Sequence, residues 1–182
     1  GLVALMSLYF GFSLVGSPTM QYDLRRLFVG CFLSIGVASA VAGYFHGYLQ
    51  NGTDELRPFV WRTVILTLGL SSYYLWKLFA FFSFPQRFRR ITDIVIFLFL
   101  LGYCYVATMI RDDFLMVAVF YVPAVVFLTL TLLIKWFSKN DARYFHGVLG
   151  LFITILAIGV QASKYDLHPE YMSHNAIYHI IQ

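Results

Sequence analysis

The chain has 182 residues, 60% of them hydrophobic and only 12% charged, with a formal net charge of +4. An ordinary soluble domain carries about twice that share of charge, so the composition excludes a water-soluble fold and implies an integral multi-pass membrane protein. The positive balance does not indicate nucleic acid, because no basic face is interleaved with exposed aromatics and the aromatics fall inside apolar runs; anionic membrane lipid is the partner it implies.

Asp, Glu, Lys and Arg are absent from 1–22, 27–53, 63–76, 94–110, 114–134, 144–163 and 171–182. A spanning helix needs roughly 17 to 25 mostly apolar residues. The runs therefore predict seven helices, at about 1–17, 27–50, 59–83, 91–110, 114–136, 144–163 and 172 to the end. Barrel strands would alternate polar and apolar residues, which these runs do not. The fold expected is an all-α membrane protein, a single seven-helix bundle over 1–182.

Helix 1 lacks a basic leader and reads as a true span. Helix 2 carries Gly36, Ala40, Gly43 and Gly47 at three- and four-residue spacing, a stripe expected to admit a close neighbour and to carry His46 toward the bundle interior. Helix 3 keeps Arg62 and Lys77 near its ends, where long side chains reach the interface. Tyr73, Tyr74, Tyr103 and Tyr105 fall mid-span, and Pro123 is expected to kink helix 5. On helix 7, Asn175, His179 and Gln182 share a face. Ten residues from Ser173 to Gln182 cover about 15 Å, roughly half a bilayer core, so both ends of the sequence read as cut. The first, third and fifth connections hold eight Lys and Arg against four in the others. This bias places the N-terminus outside and the C-terminus in the cytoplasm.

With that topology, His46, His168, His174 and His179 lie at one depth, near the outer surface, with Asp54, Glu55, Asp112, Asp113, Asp166 and Gln161. Imidazole is the commonest zinc ligand, and three protein ligands plus a water, with a carboxylate as general base, make a hydrolytic centre. The plainer reading is that His46, Asn175 and Gln182 make interhelical hydrogen bonds, each worth about 1 kcal/mol.

The run YFHGYLQNGTDELRPFV resembles the helix 2 to helix 3 junction of alkaline ceramidases, and HNAIYHIIQ is similar to their paired-histidine motif, shared with the adiponectin and progestin receptor family. The resemblance implies a zinc-dependent hydrolase of a lipid amide or ester. It makes His46 the helix 2 ligand and His179 a helix 7 ligand, with His174 or His168 as the third and Asp54 or Glu55 as the base. Ser39, Asn175 and Gln161 would support the centre by hydrogen bonds. The chain departs from the pattern at Ala42, where the family has Ser, and in the five-residue separation of His174 from His179, which turns them about 140° apart on a regular helix. Two competing readings are a non-catalytic seven-helix subunit or receptor-like protein that kept the fold, with partners in the membrane, and a small proton-coupled transporter.

Overall fold

The computed structural model describes residues 2–18, 20–49, 55–111 and 113–163, together with positions 177, 178 and 181. Its helices are α1 (Leu2–Val15), α2 (Tyr22–Tyr44), α3 (Arg57–Ser83), α4 (Arg89–Met109), α5 (Phe114–Lys139) and α6 (Ala142–Ser163). A π turn, Phe45–Leu49, extends α2, and a 3₁₀ turn, Gln86–Phe88, leads into α4. The boundaries have local causes. Pro58 sits in the first turn of α3, where its missing N–H would have had no helical partner. Phe84, which precedes Pro85, is extended at φ −107° and ψ 143°, as steric conflict with the proline ring demands, and α3 stops there.

Five segments are long and apolar enough to cross a membrane, Tyr22–Leu49, Arg57–Ser83, Gln86–Met109, Leu115–Lys139 and Ala142–Gln161. The protein is therefore an all-α, multi-pass membrane protein. α1, with 14 residues, is about 21 Å long and falls short of a full bilayer core. The expected seventh helix lies mostly outside the described residues; positions 177, 178 and 181 are helical.

The chain divides into two compact units, Gly1–Ala124 and Val125–Gln182. In the first, α2 packs on both α1 and α3, and α3 packs on α4. α3 is the most enclosed of the spans. Its small hydroxyl residues are bonded within the helix itself. Thr63, Thr67, Ser71 and Ser72 each donate a hydroxyl to a carbonyl one turn back, at 2.7–3.0 Å, so the fully buried Ser71 and Ser72 are satisfied within their own helix. Tyr103 of α4 stacks on Phe120 and donates its hydroxyl to the Ile65 carbonyl at 2.8 Å. Ile65, Tyr103, Ala107 and Val117 form the buried core of this region. Tyr105, by contrast, is exposed, as a lipid-facing residue would be.

Pro123 lies inside α5, and the helix continues through it. Proline disturbs the carbonyls one turn back; one of these, on Phe120, accepts from the Trp76 indole at 3.1 Å.

In the second unit, α5 and α6 are joined by Asn140 and Asp141. Asn140 takes a left-handed conformation at φ 50°, which Asn tolerates better than most residues, and its N–H closes on the Trp136 carbonyl at 2.8 Å. The ring of Trp136 then meets Phe145 of α6 at 4.9 Å.

The small-residue stripe of helix 2 does not behave as expected. Gly36 is buried, and a Cβ there would lie 2.8 Å from the Leu8 side chain of α1. Ala40, Gly43 and Gly47 are exposed. The face of α2 that packs carries Cys31, Ser34, Gly36 and Ala38 instead, because the helix must satisfy α1 and α3 together and the stripe cannot face both.

Candidate functional site

The distal end of α2 is irregular at the residues that carried the family resemblance. The Phe45 N–H bonds to the carbonyls of both Val41 and Ala42, and the next five residues, FHGYL, wind as a π turn. Phe45 and Leu49, four residues apart and so on one helix face, lie on the packed side, where they are 7% and 3% exposed. Phe45 is pinned by the ring of Trp61 on α3, 5.0 Å away. His46, Gly47 and Tyr48 are left on the open side.

His46 is thus exposed rather than carried inward. The cause is Phe45: the larger apolar ring takes the place against Trp61, and the imidazole, one residue on, is rotated about 90° away. It meets the Phe45 ring edge-on at 5.4 Å. Glu55, in the turn that opens α3, is also exposed. The connection between α2 and α3 puts both at the same end of their helices. Ser39 is half-buried, two turns before His46. Gln161, near the end of α6, is half-buried, with its Oε1 buried and, among the described residues, without a hydrogen-bond partner.

Asp113 has a different task. Its Oδ1 accepts from the Met116 N–H at 3.3 Å, capping α5, and its Oδ2 accepts from Arg111 Nε at 2.9 Å and pairs with Arg111 Nη2. It is the capping residue of α5. Asp54, Asp112, Asp166, His168, His174, Asn175, His179 and Gln182 lie outside the described residues. Among the described residues no group of three His, Cys, Asp or Glu is placed to hold a metal. His46 and Glu55 are the described members of the proposed donor set; imidazoles with a nearby carboxylate suit zinc chemically.

His146 is also accounted for, since its Nδ1 lies 2.7 Å from the Ala142 carbonyl one turn earlier in α6. A charged group not expected from the sequence lies at the other end of α2 and α3. Lys77 Nζ meets Asp93 Oδ1 of α4 at 2.5 Å. The two are far apart in sequence, so no helical spacing announces the pair; the one signal is a lysine well inside the end of a long apolar helix.

A family profile described as a family of unknown function (DUF6962) matches residues 1–182. No curated protein and no solved structure matches the chain.

Proposed function

The chain belongs to the DUF6962 family of unknown function, and from that premise we propose that it is a metal-dependent membrane hydrolase acting on a lipid amide or ester. In this reading seven helices cross the bilayer, with the N-terminus outside and the C-terminus cytoplasmic. His46 ligates zinc, together with His179 and one of His174 or His168. Zinc held there would supply a water of lowered pKa, for which Asp54 or Glu55 would serve as the base. Asn175, Ser39 and Gln161 orient the donors.

The observation that supports the reading is the π turn at Phe45–Leu49. Such turns give up regular hydrogen bonding, are rare, and are frequent at functional sites. Here the turn coincides with the FHG run of the ceramidase resemblance and presents His46 on the open side.

A second reading, a non-catalytic membrane protein that kept the fold, is favoured by Ala42, which stands where the resembling family has a Ser.

Metal analysis of the full chain, purified after growth with zinc, separates the two. The hydrolase reading expects one zinc per chain, loss of most of that zinc in His46→Ala and in His179→Ala, and zinc-dependent cleavage of a long-chain N-acyl amide or a carboxylic ester in vesicles. A zinc-free wild-type protein, or a His46→Ala variant that keeps its zinc, overturns it.

A further inference from the structure

We propose that the end of the first unit opposite His46 carries a binding site for a phosphate ester, in a cavity between the start of α2, the later part of α3 and the start of α4. The cavity encloses about 510 Å³, within the range of small-molecule sites. It does not depend on the hydrolase reading.

The charges of the lining select the ligand. Arg26, Lys77 and Arg89 face Asp23 and Asp93. Lys77 is held by Asp93 at 2.5 Å, with its side chain only 17% exposed, so the two cancel. Arg26 and Arg89 remain against Asp23, a surplus of one positive charge. Among the described residues neither arginine is in an ion pair. Both guanidinium groups rest on rings, Arg26 at 5.4 Å from the centre of Tyr22 and Arg89 at 4.3 Å from that of Phe81.

Arg89 is the decisive residue. Its Nε is buried and, among the described residues, has no hydrogen-bond partner. A charged donor taken from water without an acceptor is strongly unfavourable, and a guanidinium positioned on an aromatic face is suited to bind an oxyanion through two parallel N–H donors. Leu27, Ala80 and Phe81 form an apolar wall beside it. That wall suits the carbon part of an ester and gains nothing from inorganic phosphate. Tyr74, also in the lining, packs against Gly30, where a Cβ would lie 2.3 Å from its ring, so α2 and α3 hold this wall in close contact.

A phosphate ester can be the headgroup of a membrane lipid or a soluble compound, and the two are separable by experiment. The full chain is placed in phosphate-free maltoside micelles and its thermal unfolding is followed by tryptophan fluorescence, with phosphatidate added to the micelle or glycerol 3-phosphate to the buffer. The expected result is a rise in the unfolding midpoint with one of the two probes. Arg89→Gln and Arg26→Gln are each expected to weaken the response about tenfold, the loss of one charge-assisted contact. Arg90→Gln, exposed and outside the cavity lining, leaves it unchanged. A response to phosphatidate alone identifies a lipid headgroup, and one to glycerol 3-phosphate identifies a soluble ester. No response to either probe, or an equal loss in Arg90→Gln, overturns the proposal. Should Arg89→Gln not fold, Arg89→Lys keeps the charge without the fork and is expected to give an intermediate loss; full retention of the response there also overturns it.

Discussion

At the scale of single residues, the most constrained contact in the first unit is between Gly69 and Tyr103. A Cβ on Gly69 would lie 2.1 Å from the Tyr103 ring, and that ring also stacks on Phe120 at 5.1 Å and is tied at its tip to the Ile65 carbonyl. Moving the ring aside would disturb both contacts. Gly69→Ala is expected to destabilise the protein by about 1–3 kcal/mol, the usual range for overpacking. Tyr103→Phe, which loses only the hydroxyl bond, is expected to cost about 1 kcal/mol or less. Unfolding in detergent micelles measures both, and a neutral Gly69→Ala would show that α3 and α4 do not pack this way. Gly69 does not stand out in the sequence, where it is one of 13 glycines, and Tyr103 is there only one of four mid-span tyrosines. Only the packing pairs them. His46 is the converse case: its place at the end of the second helix was readable from the sequence, whereas its facing depended on which of Phe45 and His46 fits against Trp61.

At the scale of elements, the helix starts show how much of the charge pattern is capping. Asp141 precedes α6, and its Oδ1 accepts from the Arg143 N–H at 2.9 Å while Arg143 Nη2 bonds its Oδ2 at 2.7 Å. The side-chain hydrogen bond from Arg143, followed by that from the Arg143 backbone, holds the Asp141 carboxyl below the usual carboxylate range. A folded-state pKa below the unfolded one means that the cap's stabilisation is present above the unfolded pKa and is lost as pH falls through the folded pKa. Titration of the Asp141 carboxyl carbon by NMR is expected to give a value below an ordinary aspartate, and Arg143→Gln to move it upward. An unshifted Asp141 in the wild type, or no change in the variant, contradicts the cap. The pairing of Arg111 with Asp113 at the start of α5 repeats the device, so an aspartate that the sequence set in the outer polar layer serves as a helix cap. An acidic residue before an apolar run suits both roles in the sequence, and only the position of the first helical turn separates them.

At the scale of the molecule, the excess of Lys and Arg in the odd-numbered connections predicts that Gln86 faces the cytoplasm and Glu55 the outside. Gln86→Cys is expected to resist an impermeant thiol reagent applied to intact cells, and Glu55→Cys to react. The native thiols give a low background, since Cys31 is buried and both cysteines lie inside spans. Labelling of Gln86→Cys from outside would invert the topology and, with it, the placement of the histidine layer.

The sequence by itself determined that the protein is helical and embedded in a membrane, and it located five spans to within a few residues. The reason is that a bilayer leaves an apolar segment one way to satisfy its backbone, so length and hydropathy suffice. What only the tertiary structure decided is the facing of those helices. In lipid both the packed and the exposed faces of a span are apolar, so no amphipathic pattern tells the exposed Ala40 from the buried Ala38. Facing is settled instead by shape: by which glycine admits which ring, by a π turn that sends Phe45 inward and His46 out, and by three helices that bring Arg89 and the paired Lys77 and Asp93 to the wall of one cavity.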